Sequence, residues 1–352
     1  MKIAIAAGGT GGHIYPGIAV AEEFLSRDPQ NGLIFIGCHD GLEKELVSKE
    51  GYEIKLIYAR GILRKISYKA ISAPFLTFFG FFQSLFILKN FNPSLVVVTG
   101  GYVSFPVTVA AKILGIKVVL LEQNTIPGFV SKLISRFVDA VVVSFAEAQK
   151  TLQKSLLFGN PVRRKFFTKK VSAKKEFNKV VIVGGSQGAR KINFEVLNIL
   201  DLFIGKNIEL VHITGKRDFD EIMSKVDALK YGFYKPLSYV YNIEEELFDA
   251  DLVVSRSGAT AIAEFLVLGL PMILIPFPYS AENHQEANAE AVQNMGAGIV
   301  LNESDIEKLG DIISSVVFDE ENLKAMKMNA RKNAKDNAST EIVNLIYELT
   351  KH

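Results

Sequence analysis

The chain has 352 residues, 49% hydrophobic and 22% charged, enough to bury two cores and too apolar for a disordered polyelectrolyte. Forty basic residues against 38 acidic ones leave a net charge of +2, which argues against a nucleic-acid partner. A single cysteine, Cys38, excludes an intramolecular disulfide and suits a reducing compartment, and the five histidines are too scattered for a local metal motif, so no metal is expected.

The opening apolar run, residues 3–7, is shorter than the roughly 7–15 residues of a secretory signal's core. Strands are expected at 2–6, 33–36, 95–99, 118–121 and 140–143, then at 180–183, 209–213, 252–255 and 272–275. Helical stretches separate them, the pattern of parallel α/β domains. Each half opens with a strand feeding a glycine-rich turn, IAIAAGGTGGH at 3–13 and VVIVGGSQGAR at 180–190. The chain therefore reads as α/β with two doubly wound domains, 1–160 and 161–338, joined near FGNPVRR at 158–164. A last helix lies within 339–352, starting near Thr340 with Ile342, Val343, Ile346 and Leu349 on one face.

Residues 70–88 run nineteen positions without a charge, the lower edge of a spanning helix, but Pro74 and Gly80 interrupt the run and Gln83 dilutes it. Two readings remain open: a buried helix pair, or an interfacial surface beside Arg60, Arg64, Lys65 and Lys69. The charge balance leans toward the second, because residues 1–160 carry 16 basic and 11 acidic groups while 161–352 carry 24 and 27.

Four constellations carry chemistry. In GGTGGHIYPG, glycines let backbone N–H groups approach an anion, and a helix starting near Tyr15 or Pro16 adds positive potential. His13 stands at this edge, as a candidate base or as a packed, capping histidine. The dinucleotide fingerprint fails because Ile14 stands where glycine is needed, and no Gly-Lys-Ser/Thr completes a Walker loop. GGSQGAR reads as a phosphate cradle built on Ser186. It also spells the nucleophile elbow of a serine hydrolase, with Asp251 and His284 downstream in the required order. In VVSRSGATAIAEFLVLG, Glu264 is the lone carboxylate of an apolar helix, placed to accept from a diol or to meet a neighbouring cation. SAENHQEANAE, 280–290, puts His284 and Gln285 at a helix start.

Together with GGYVSFP (100–106), EQN (122–124) and GNPVR, these motifs resemble, in order and over nearly the whole chain, the MurG family of bacterial peptidoglycan N-acetylglucosaminyltransferases in glycosyltransferase family 28. The resemblance implies a GT-B fold: two Rossmann-like, doubly wound parallel-sheet domains facing across a cleft, the last helix returning to the first. It implies inverting transfer of N-acetylglucosamine from UDP-GlcNAc to the C4 hydroxyl of the muramyl sugar in lipid I, giving lipid II, with no cofactor and no catalytic metal. By motif, the donor contacts would be Thr10, Gly11, Gly12, Asn124, Arg163, Ser186, Val240, Ala259, Thr260, Ala261, Ile262, Ala263, Glu264 and Gln285. His13 and Glu122 are the candidate catalytic groups. Phe75, Phe78, Phe79 and Phe82 would form a patch docking on an anionic membrane, placing the protein peripherally on the cytoplasmic face of the inner membrane. Cell-wall synthesis or division proteins would be its partners. Two departures stand out: Leu121 occupies a position where many members carry histidine, and the chain has no tryptophan for its patch. A diacylglycerol-directed glycosyltransferase and a non-catalytic nucleotide-sugar binder remain as alternatives.

Overall fold

The computed structural model describes residues 1–39, 41–60, 68–168, 177–184, 189–226 and 230–351, with only the backbone of 68–74. The chain divides into two units, Met1–Arg164 with Lys335–His352, and Lys165–Ala334. The first unit thus extends about four residues beyond the expected boundary at each crossing. Local contacts explain this. The Arg163 guanidinium lies 3.8 Å from the Tyr15 ring centroid. The Arg164 N–H donates to Glu22 Oε2 at 2.7 Å.

The first unit runs β1 (Lys2–Ala6), α1 (Gly11–Arg27), β2 (Gly32–Cys38), α2 (Glu43–Lys49), β3 (Ile54–Ile57), α3 (Tyr68–Phe91), β4 (Leu95–Val98), α4 (Gly101–Ile113), β5 (Lys117–Glu122), α5 (Phe129–Ile134), β6 (Ala140–Val143) and β7 (Leu156–Leu157). Its parallel strands lie in the order β3-β2-β1-β4-β5-β6-β7, among the described residues. Strands such as LVVV in β4 are apolar on both faces because helices cover both sides of the sheet.

The second unit runs β8 (Asn178–Val183), α6 (Arg190–Ile199), β9 (Ile208–Ile213), α7 (Phe219–Met223), β10 (Tyr234–Leu237), α8 (Ile243–Leu247), β11 (Leu252–Ser255), α9 (Ala259–Leu268), β12 (Met272–Leu274), α10 (His284–Asn294), β13 (Gly298–Val300), α11 (Leu309–Val317) and α12 (Glu320–Asn333). Its order is β10-β9-β8-β11-β12-β13, again parallel. The closing helix α13 (Ala338–Thr350) belongs to the first unit, where Ile342, Val343 and Ile346 share a core with Ile14, Ile18 and Phe24. Asn31 Nδ2 donates to Tyr347 Oη across that packing at 3.0 Å.

Two expectations change. The first helix begins at Gly11, ahead of Tyr15, and takes Pro16 into its interior, where the ring removes one backbone donor. The phenylalanine-rich segment forms one helix, α3, and not a pair. Gly80 does not break it: a Cβ there would run into the Tyr58 carbonyl oxygen, so glycine lets α3 lie against the chain after β3. Phe81, Leu85 and Leu88 of α3 face the core. Phe75, Phe78, Phe79, Phe82 and Phe86 form a stripe at helical spacing, each between 52% and 69% exposed. No helix among the described residues is long and apolar enough to cross a membrane.

Candidate functional site

In both sheets the strand order reverses beside the first strand, between β1 and β4 and between β8 and β11. Ligands of doubly wound folds bind outside the carboxyl ends of the strands at such switch points.

At the first switch point, β1 passes through Gly8 and Gly9 into α1, whose cap residue Thr10 has an extended backbone and no side-chain capping bond. After β4, Gly100 and Gly101 adopt positive φ (86° and 72°) and lead into α4. A Cβ on Gly101 would lie 3.2 Å from the Gly8 carbonyl oxygen, so the two glycine turns pack backbone to backbone.

The His13 ring sits against Gly100 and Gly101. Its Nδ1 lies 2.7 Å from the Thr99 carbonyl oxygen and 3.0 Å from Gln123 Oε1. Gln123 Nε2 donates to the Leu121 carbonyl at 3.0 Å, which fixes the amide so that its oxygen faces the ring. Both groups only accept, so Nδ1 carries the proton and Nε2 is the basic nitrogen of the neutral imidazole. Thr10, Gly11 and Gly12 lie on the same turn, Thr10 and Gly12 exposed and Gly11 half-buried.

Glu122 ends β5, 3% exposed. Its Oε1 accepts from the backbone and side-chain nitrogens of Asn124 at 2.9 and 3.1 Å, and its Oε2 from Gly128 N–H at 3.3 Å. The carboxylate thereby folds the loop that carries Asn124. Arg163, also buried, is stacked on Tyr15 within the first unit.

At the second switch point, Ser186 lies outside the described residues. The turn after β11 is tied down on several sides. Ser257 Oγ donates to the Gln285 carbonyl at 2.6 Å, and Asn288 Nδ2 to the Ser257 carbonyl at 3.1 Å. Arg256 donates to the Ile275 and Pro276 carbonyls and pairs with Glu303. Gly258 caps α9 without a side chain, and its Cβ direction is open space, which leaves the helix N-terminus approachable by an anion.

Within α9, Ala259 and Thr260 are buried, Ala261 and Ala263 half-buried, and Glu264, 7% exposed, lies one turn after Thr260. Ile262 is fully buried, so its side chain packs inside the unit. Gln285 Oε1 accepts from Phe277 N–H at 2.9 Å, which leaves its amide nitrogen as the donor. Val240 is half-buried in the loop after β10, flanked by Tyr239 and Tyr241, whose rings meet edge to face at 4.7 Å.

Beneath the start of α6 lies a buried polar network that the motifs gave no sign of. His212 bridges Tyr234 Oη (2.8 Å) and Asn193 Oδ1 (3.0 Å). Asn193 Nδ2 donates to the Thr214 carbonyl and to Asp218 Oδ2, both at 2.8 Å. Hydrogen bonding from Arg217 holds the Asp218 carboxyl below its usual range, and Arg190 adds to it. Burial pulls the His212 pKa down to about 3.

The acid of the hydrolase alternative is committed elsewhere. Asp251 precedes β11 and is engaged by the Lys179 backbone N–H and by Lys327 Nζ. Gly184 follows the opposite end of the parallel β8, about four residues or ~13 Å along the sheet. Asp249, two residues before Asp251, is likewise held by a lysine, pairing with Lys179 at 2.8 Å. No group of three or more His, Cys, Asp or Glu is placed to hold a metal, among the described residues.

Two Rossmann-like units, each presenting a glycine turn and a helix start without a side-chain cap at its switch point, have the form of nucleotide-binding domains. The glycosyltransferase family 28 N-terminal domain matches residues 3–143, and the C-terminal domain of the same family matches 179–342. UDP-N-acetylglucosamine--N-acetylmuramyl-(pentapeptide) pyrophosphoryl-undecaprenol N-acetylglucosamine transferases are similar over full length. The one from Acetivibrio thermocellus is 38% identical, covering 100% of this chain and 99% of its own, and that of Halothermothrix orenii is 35% identical over 100% of both. The crystal structure of Acinetobacter baumannii MurG superposes with a TM-score of 0.78 at 25% identity, covering 99% of this chain and 100% of that one. The chain belongs to this family of N-acetylglucosamine transferases within glycosyltransferase family 28.

Proposed function

We propose that the protein transfers N-acetylglucosamine from UDP-GlcNAc to the C4 hydroxyl of the muramyl sugar of lipid I, with inversion, releasing UDP and giving lipid II for peptidoglycan synthesis. The observation that carries the mechanism is His13: a ring locked through Nδ1 at the first switch point, with Nε2 left as an acceptor. In this reading Nε2 takes the proton of the C4 hydroxyl as its oxygen bonds to C1 of the donor sugar. The C1–O bond to UDP breaks with its electron pair going to the diphosphate. Negative charge grows there in the transition state, so helix N-terminal amides and Arg163 aimed at it lower the barrier selectively.

Glu264 accepts from the ribose diol, Ala259 to Ala263 meet the nucleotide through backbone and small side chains, and Val240 packs on the base. Ser186 holds the diphosphate, and Gln285 donates to a sugar hydroxyl. Thr10, Gly11, Gly12 and Asn124 meet the donor sugar. Glu122, held by three donors, keeps Asn124 in place, and proton transfer falls to His13. The phenylalanine stripe of α3 docks the protein peripherally on the cytoplasmic leaflet of the inner membrane, where lipid I is reached.

The test is UDP release in EDTA from UDP-GlcNAc, with and without a lipid I analogue. Lipid-dependent release that falls roughly 10²–10⁴-fold in His13→Gln, with UDP affinity retained, is expected. Release without acceptor, or a His13→Gln enzyme of undiminished kcat, defeats the reading.

A further inference from the structure

A fully buried carboxyl stands behind the first glycine turn without belonging to any of its motifs. Glu43 is the first residue of α2, and its Oε1 accepts from the Gly9 N–H at 2.7 Å. The Cys38 thiol donates to the same oxygen at 3.4 Å. Glu43 Oε2 accepts no hydrogen bond among the described residues.

The surrounding backbone is shaped to admit this side chain. A Cβ on Gly37 would lie 2.8 Å from Glu43 Cβ, and one on Gly41 would collide with the carboxyl itself, while one on Gly8 would meet Val103 first and Glu43 Oε1 next, at 2.9 Å. Gly37 and Gly41 therefore lack a side chain where Glu43 sits. The hydrogen bond fixes Gly9, whose φ of 98° is the left-handed step between β1 and α1. The next residue is Thr10, whose carbonyl accepts from His13 N at 3.0 Å and Ile14 N at 3.3 Å to start the helix.

We propose that Glu43 is a positioning residue for the transfer reaction, acting through Gly9 on the placement of Thr10 and His13, and that it does so by the reach of its acceptor oxygen. The Gly9 N–H needs only a carbonyl-type oxygen at the right reach. This rests on the reading of His13 as the base.

The discriminating pair is Glu43→Gln, which keeps reach and removes charge, and Glu43→Asp, which keeps charge and retreats by about 1.5 Å, one carbon–carbon step. Glu43→Gln is expected within about threefold of wild type in kcat. Glu43→Asp is expected to lose about tenfold or more in kcat, with KM for UDP-GlcNAc within about twofold, since ångström misplacement of a reacting group is costly. Hydrogen exchange of the peptide spanning 8–14 reads the mechanism without activity, faster in Glu43→Asp and unchanged in Glu43→Gln. An active Glu43→Asp beside an impaired Glu43→Gln, equal exchange in both, or a loss confined to KM overturns the proposal. His13→Gln assayed in parallel separates the two readings: if it turns over normally the base assignment fails, while the exchange result still judges Glu43.

Discussion

Acidification should destabilise the second unit through one histidine. His212 sits in β9, fully buried, with Asn193 Oδ1 on Nε2 and Tyr234 Oη on Nδ1. Asn193 uses its amide nitrogen on the Thr214 carbonyl and Asp218, so its oxygen faces the ring. The Nε2 therefore carries the proton, Nδ1 accepts from Tyr234, and the neutral ring has no unmet group. Burial moves its pKa from 6.5 down to about 3. Between those values the unfolded chain binds a proton that the folded chain does not, so stability is full above the unfolded pKa and falls as pH drops through the window. Integrating from about pH 7.5 to about pH 5 gives a loss of about 2 kcal/mol from this one residue. Urea unfolding at a series of pH values isolates it when wild type is compared with His212→Gln, which cannot titrate. The wild type should lose about 2 kcal/mol more than the variant over that range. Parallel pH profiles would show that the ring is charged or reaches solvent in the folded state, and the argument from burial would fall.

Gly101→Ala should cost about 1–2 kcal/mol from its left-handed backbone alone. Its new Cβ, 3.2 Å from the Gly8 carbonyl, should also push apart the two turns beside His13 and lower kcat. A variant of wild-type stability and turnover would mean the turns are not held as described. Phe78→Ser with Phe82→Ser should weaken binding to vesicles containing anionic lipid by about tenfold or more, since each ring's burial is worth roughly 1.5–3 kcal/mol when complete. UDP release with a water-soluble acceptor should be unaffected, and unchanged vesicle binding would remove α3 from the docking surface.

What the sequence revealed of the fold follows the sheets' own anatomy. The nine strands read from the chain are the interior ones, where continuous apolar runs answer burial on both faces. The four that escaped, β3, β7, β10 and β13, are the four edges. Two of them bear charge or proline, tolerated because one side needs no ladder partner: IKLI in β3 and YKPL, where Pro236 sits, in β10. The other two are only two and three residues long, too short to show a pattern. The helix start at Gly11 was missed because glycine and proline are read as breakers: Gly11 and Gly12 lie in the first turn, which needs none of its own N–H bonds, and Pro16 is taken into the interior at the loss of one backbone hydrogen bond.

The candidate site divides along the same line. Residues recognisable by type within a motif, such as His13, Glu122 and Glu264, were visible, but their roles depended on partners distant in the chain. The sequence ranks His13 ahead of Glu122 as a base without showing what either side chain meets: three donors in the loop after β5 for Glu122, and a carbonyl at the end of β4 for His13. Gln123, Thr99 and Glu43 lie 110, 86 and 34 residues from the groups they orient. Such second partners carry no local signature, because an acceptor for Gly9 could come from any element that passes behind the turn. The glycines do leave a trace. Gly37 and Gly41 each lack a side chain where Glu43 now sits, so glycines on either side of a turn can mark the volume of one buried group before its partner is known. In this fold the glycine-rich turn is thus fixed from behind by a carboxyl that its own motif does not contain.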